Sequence, residues 1–146
     1  MPNSNLPWEL IAGIGLLTAT IFVHGVGLRF IGRWFHKAWS EHNASEVGWR
    51  ADLIVACVVA SLAVLHLLEP LLWALPIYLS GILPSLRDAY YFVLQSYTTL
   101  GAGNVALPDN WRLFGPVIAI SGLFAFGWTA SVLVTVMAEF VRFSRK

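Results

Sequence analysis

Residues 85–104, SLRDAYYFVLQSYTTLGAGN, combine a short polar helix pattern with a glycine-containing turn. The first part is typical of a short helix. Pro84 ends the preceding run, and Ser85 with Asp88 three residues later forms a variant of the helix-capping box. A polar turn that carries two glycines, TTLGAGN at 98–104, follows this helix. Taken alone, the pattern is also compatible with an interfacial helix followed by an ordinary glycine turn.

Long apolar segments lie on both sides of this stretch. The chain is 58% hydrophobic and 12% charged, whereas soluble domains are about 45–50% apolar and about 25% charged. The apolar runs at about 8–30, 51–75 and 113–140 are each long enough to cross a hydrocarbon core of about 30 Å. No Lys or Arg precedes the first run, which disfavours a secretory signal. The sequence therefore predicts an integral membrane protein.

The charge and cysteine content exclude other classes. A net charge of +1 gives no indication of a nucleic-acid partner. The single cysteine, Cys57, cannot form a disulfide within the chain. An enzyme is not predicted either, because no activated nucleophile pattern and no complete set of metal ligands is visible.

The turn TTLGAGN resembles TTVGYGD, the selectivity filter of potassium channels. The resemblance covers roughly residues 51–146 and makes residues 1–50 an additional N-terminal transmembrane helix with a basic connector. It implies an outer helix at about 51–75, a pore helix at about 85–97, a filter at 98–104 and an inner helix at about 113–140. The predicted fold is therefore an all-α membrane protein with three transmembrane helices, a re-entrant pore helix and a filter loop, assembled as a tetrameric channel.

In such a filter, stacked rings of backbone carbonyls replace the water shell of a dehydrated cation. The resemblance implies that the ion-binding residues are Thr98, Thr99, Leu100, Gly101, Ala102, Gly103 and Asn104. It implies potassium or sodium ions, and no other cofactor, at Thr99, Leu100, Gly101 and Ala102. Gly101 and Gly103 fit alternate positions, because glycine reaches positive φ at little cost. The C-terminus of the pore helix would direct the negative end of its dipole at the inner mouth.

Two filter positions depart from the potassium-channel pattern. Ala102 stands where those channels usually have Tyr or Phe, and Asn104 stands where they usually have Asp. Gln95 aligns with a position that is often an acid paired with that Asp, so we predict that a Gln95–Asn104 hydrogen bond supports the filter. The form GAGN also resembles GDGN, the filter of a bacterial channel that conducts sodium and potassium alike. Potassium conduction is the first prediction, and a non-selective sodium and potassium channel, with calcium permeability as an option, is the alternative.

One chain offers one filter strand, whereas a carbonyl ring needs four, so the predicted partners are three further copies of the chain and the lipid bilayer. A pore-like accessory membrane protein that does not conduct is the second alternative. By resemblance, Gly122 is a candidate gating hinge in the inner helix, and close helix packing is equally compatible with a glycine there.

The basic residues predict the orientation. With the N-terminus outside, the positive-inside rule is satisfied, because most cations then lie at the cytoplasmic side: Arg29, Arg33, Lys37, Arg50, Arg142, Arg145 and Lys146. The filter then faces outward and the C-terminus is cytoplasmic, as expected for a channel of the plasma membrane. The polar segment at 29–50 is predicted to be a connector that contains a short interfacial helix. Its two arginines four residues apart are too few for a voltage sensor.

The predicted spans contain ionisable residues that are functional candidates, among them His24 in the first span and His66 and Glu69 in the second. Ionisable groups at membrane depth are functional candidates by default. His66 and Glu69 share one helical face, but two ligands do not make a metal site and no nearby residue completes one. The sequence therefore favours hydrogen-bonded structural roles for all three.

Overall fold

The computed structural model describes residues 6–41, 48–101 and 103–144. Its helices are α1 (Leu6–Ser40), α2 (Trp49–Leu68), α3 (Leu71–Leu79), α4 (Leu86–Tyr97) and α5 (Phe114–Ser144), with a 3₁₀ turn at Asp109–Trp111. No strand occurs among these residues, so the predicted all-α fold is confirmed. The expected ion site at Ala102 and the terminal cations Arg145 and Lys146 lie outside the described residues.

Three segments are long and apolar enough to cross a membrane: Leu6–Ser40, Trp49–Leu79 and Asp109–Arg142. The second comprises α2 and α3, which are separated only by Glu69 and Pro70. Pro70 has no N–H to extend the hydrogen-bond ladder of α2, and the carbonyls of Glu69 and Pro70 instead accept the first bonds of α3. The helix predicted to end near residue 75 is therefore interrupted at Glu69 and continues to Leu79.

The first helix is longer than the sequence predicted. The predicted connector with a separate interfacial helix is wrong for residues 29–40, because α1 continues without a break to Ser40. Apolar contacts hold these last turns: Phe35 is 2% exposed and stacks on Trp39, with ring centroids 5.4 Å apart. Arg33 and Lys37 stay on the exposed side of the same turns.

The apolar core consists of two clusters. One joins α3, α4 and the first half of α5, with Trp73, Val93 and Ile118 fully buried in it. The other joins the end of α1 to α2 and to the second half of α5, and it includes Phe35 and Val136. Because α1 packs against both clusters, it is an integral part of the fold that positions α4.

Candidate functional site: the pore helix and the filter loop

Helix α4 begins at the cap that the sequence predicted. Ser85 has extended backbone angles of φ −131° and ψ 133°, and its hydroxyl accepts a hydrogen bond from the Asp88 N–H at 3.4 Å. The carboxylate of Asp88 lies in the first turn, where it complements the positive end of the helix dipole. Ala89, Val93 and Tyr97, four residues apart, bury one face of the helix. This short helix is thereby fixed in direction and ends at Tyr97.

A tight turn leads the chain from α4 into the filter loop. The Leu100 N–H donates to the Gln95 carbonyl and the Thr99 N–H donates to the Ser96 carbonyl, both at 2.9 Å. This pair of bonds is the Schellman arrangement, in which the residue after the C-cap adopts a left-handed conformation. That residue is Thr99, with φ 58°. Most helices use glycine there, because a side chain makes this conformation costly.

The backbone of the filter loop alternates in handedness. Thr99 and Gly101 have positive φ, 58° and 93°, and Leu100 between them does not. The expectation of a left-handed glycine is confirmed at Gly101. At Gly103 a Cβ would lie 2.6 Å from both amide heteroatoms of Gln95, so a side chain there would require the end of the Gln95 side chain to move.

Gln95 contacts the filter in a different way from the one predicted. Its Nε2 donates to the Tyr91 hydroxyl at 3.1 Å. Its Oε1 is buried and has no hydrogen-bond partner among the described residues. The predicted Gln95–Asn104 bond is therefore wrong for the described chain, and Asn104 is exposed. The amide of Gln95 lies instead directly against the backbone of Gly103.

Helix α5 passes close to the end of α4 at Gly122. A Cβ at this position would lie 1.9 Å from the carbonyl oxygen of Tyr97. A side chain is excluded there, and α5 runs through Gly122 as one continuous helix. Close packing thus accounts for this glycine, and a role as a gating hinge stays a prediction.

Comparison with known families agrees with this geometry. A family model described as "Ion channel" matches residues 53–139, which is more than half of the chain. The chain belongs to this ion channel family. Comparisons with curated proteins and with solved structures found no match. The family match confirms the predicted resemblance and shows that the protein is a membrane-embedded ion channel subunit.

The family match runs from the first turn of α2 to near the end of α5 and leaves α1 outside. In the channel subunit, α1 nonetheless contacts the matched region both near its own beginning and near its own end. At its beginning, the buried Glu9 carboxylate accepts a hydrogen bond from the Leu113 N–H at 2.5 Å, next to the start of α5. Near its end, Phe35 joins the second apolar cluster.

The described residues of the predicted filter loop, 98–101 and 103–104, are exposed. Leu100 is 78% exposed, although it is a large apolar side chain. Beside it lies a groove of about 450 Å³, lined by filter-loop residues such as Thr99 and by Gly115 and Pro116 of α5. An exposed apolar side chain beside an open groove is the kind of surface that another protein chain covers.

The structure brings together three ionisable residues whose proximity the sequence did not reveal. Candidate ligand atoms of His24, His66 and Glu69 all lie within 4.8 Å of one another, so His24 lies beside the pair that the sequence placed on one helical face. Tyr97 and Thr129 complete the cluster through hydrogen bonds. Sequence spacing could not reveal it, because His24 and Glu69 are 45 positions apart. The available signal was a polar side chain at a similar depth in each span.

Proposed function

We propose that the protein is a subunit of a homotetrameric cation channel that conducts potassium through a filter of backbone carbonyls. The observation that carries the proposal is the left-handed pair Thr99 and Gly101, which directly follows the capped helix α4. Alternating handedness turns successive carbonyls of a strand toward the same side, which is what a carbonyl-lined pore requires. The ions would be held at Thr99, Leu100, Gly101 and Ala102, within the filter 98–104.

Fourfold assembly is supported by the incomplete carbonyl rings of a single chain. One filter strand supplies one quarter of each carbonyl ring, and a closed cyclic tetramer supplies the rest. The exposed Leu100 and the groove beside it would be covered by neighbouring subunits. Irregular backbone is tolerated at membrane depth only where it lines a water-filled path or is buried in protein, and the tetramer provides both surroundings.

The charges at the ends of the helices support an orientation in the plasma membrane. Arg33 and Lys37 lie in the last turns of α1, Arg50 lies in the first turn of α2, and Arg142 lies near the end of α5. All four belong to one side of the membrane when the helices cross in alternation, and the positive-inside rule makes that side cytoplasmic. The filter loop then opens to the outside.

A channel that does not discriminate sodium from potassium is the second candidate. It is favoured by the surroundings of Asn104, which is exposed and is not bonded to Gln95 in the described chain. An outer end of the filter without that bond is less stiffly held, and the stiffness of the sites is one of the two debated sources of selectivity.

Reconstitution into planar bilayers tests the proposal. With potassium on one side and sodium on the other, the proposal predicts currents that reverse close to the potassium equilibrium potential and stop when a pore-blocking ion is added. A reversal potential near zero would establish the non-selective channel instead. An absence of blockable current from tetramers of verified integrity would contradict conduction and support the accessory-subunit alternative.

A further inference from the structure

The buried polar cluster forms a closed ring of five hydrogen bonds. The Tyr97 hydroxyl donates to Glu69 Oε2 at 2.5 Å, and His66 Nδ1 lies 3.2 Å from the Tyr97 oxygen. His66 Nε2 lies 2.9 Å from Thr129 Oγ1, which is 3.3 Å from His24 Nε2. His24 Nδ1 closes the ring at 2.7 Å from Glu69 Oε1. We call these five residues the polar ring.

The protons of the polar ring can be assigned in one consistent direction. Because the Tyr97 hydroxyl donates to Glu69, its oxygen accepts from His66 Nδ1–H. Neutral His66 then accepts at Nε2 from the Thr129 hydroxyl, and the Thr129 oxygen accepts from His24 Nε2–H. One proton remains, and it is shared between His24 Nδ1 and Glu69 Oε1. Every polar side-chain atom of the ring thus has a partner.

These distances fit hydrogen bonds better than metal coordination. Two ligands at tetrahedral corners of a zinc ion, each about 2.0–2.1 Å from the metal, are about 3.4 Å apart. His24 Nδ1 and Glu69 Oε1 are only 2.7 Å apart, and both oxygens of Glu69 already have hydrogen-bond partners. The polar ring is complete without an ion.

The polar ring connects helix α4 to all three spans. Its members come from every transmembrane segment and from α4: His24 from α1, His66 and Glu69 from the second span, Tyr97 from α4 and Thr129 from α5. Tyr97 and Glu69 are each 1% exposed, and His24 is fully buried. A polar group without a hydrogen-bond partner has a higher free energy inside a membrane than at a site exposed to water. The hydrogen bonds of the polar ring therefore stabilise the packing of the elements that contribute its members.

Tyr97 is the member that links the ring to ion conduction. It is the last residue of α4 and immediately precedes Thr98 and Thr99, where the chain turns into the filter loop. Its hydroxyl is bound by Glu69 and its carbonyl is packed against Gly122. Both ends of this residue are therefore fixed at the point where the filter begins.

We infer that Tyr97, Glu69 and His24 are positioning residues for the filter, and that α1 sets the filter's geometry through them; the consequence for conduction rests on the proposed function. The inference assigns a structural role to α1, which lies outside the residues that the family model matches.

Two substitutions break the ring on either side of Glu69 while changing few atoms. Tyr97→Phe removes one hydroxyl, and His24→Gln removes the imidazole that α1 contributes. Matched controls are Tyr78→Phe, at a half-exposed tyrosine of α3, and His36→Gln, at an exposed histidine of α1 itself. All four variants would be purified as intact oligomers, so that loss of assembly is seen separately.

The first measurement is amide hydrogen exchange of the peptide that contains Thr98, Thr99 and Leu100. We expect both ring variants to speed exchange there by on the order of fivefold, the factor that corresponds to one net buried hydrogen bond, and both controls to leave it unchanged. Unchanged exchange in both ring variants would overturn the inference. Faster exchange spread evenly over all helices would also overturn it, because it would mark a general loss of stability.

The second measurement is the reversal potential with potassium opposite sodium. The ring variants should raise sodium permeability relative to potassium on the order of fivefold. The Tyr97→Phe/Glu69→Ala double variant should change it by less than the sum of the two single changes, because each single change removes the Tyr97–Glu69 hydrogen bond. A fully additive double variant would count against the ring. If the wild type carries no current while the exchange result holds, the proposed function fails and the positioning role stands.

Discussion

The contact between Gly122 and the Tyr97 carbonyl predicts a large effect for the substitution Gly122→Ala. The added Cβ would lie 1.9 Å from that oxygen, whereas real Cβ atoms essentially never come closer than 3.0 Å, so α4 and α5 would have to separate by at least about 1.1 Å. The clashing atom belongs to the backbone, so no side-chain rotation relieves it. Overpacking of this kind costs about 1–3 kcal/mol, and we expect the upper half of that range.

The measurement is the apparent melting temperature of the purified protein, with Gly127→Ala as the matched control on the same helix. No atom of the described residues lies within 4 Å of a Cβ at Gly127, so alanine there should gain up to about 1 kcal/mol of helix propensity. We therefore expect Gly122→Ala to melt clearly below the wild type and Gly127→Ala to melt at or above it. Equal melting temperatures for the two variants would refute the reasoning. A Gly122→Ala variant with altered opening and wild-type stability would support the hinge instead.

Three further substitutions have expected outcomes. Ser85→Ala removes the side-chain cap of α4 and should lower the unfolding free energy by about 1 kcal/mol, measured by denaturant titration. Glu9→Gln removes the charge that accepts the Leu113 N–H and should cost about 0.5–2 kcal/mol by the same titration, whereas Glu41→Gln, at an exposed position, should cost nothing. Asn104→Asp adds a negative charge at the outer mouth and should raise potassium conductance in single-channel recordings at low salt. The gain in conductance should shrink as salt is added. A gain independent of salt would contradict a surface-charge effect.

Local signals in the sequence were sufficient for the elements around the filter. The cap at Ser85 and the apolar spacing that follows it determine where α4 begins and which face it buries. These interactions involve residues within one or two helical turns, so they can be read from sequence. Length and hydropathy likewise identified the three spans.

The contacts between helices could not be read in the same way. Glycine at 103 lies against the Gln95 amide, and glycine at 122 is explained by a carbonyl of α4; both contacts appear only when the elements are packed. The left-handed conformation of Thr99 could not be predicted from the residue type, because threonine is disfavoured in that conformation. The hydrogen bonds of the turn determine it instead. The length of α1 depended on the packing of Phe35.

The polar ring shows the same limit most clearly. His24, His66 and Glu69 were each recognised as unusual at membrane depth, and structural roles were predicted for them separately. Their meeting depends on the register of α1 against the second span, which a single sequence does not specify. Once that register is known, hydrogen-bond geometry alone assigns the partners.

The most direct test of the central claim is a density map of the purified protein in a lipid bilayer with potassium present. The account predicts four chains around one axis, with ion density on that axis at the level of residues 99–101 and the carbonyl oxygens of Thr99, Leu100 and Gly101 directed at it. A monomeric particle, or carbonyls that point away from a common axis, would contradict it.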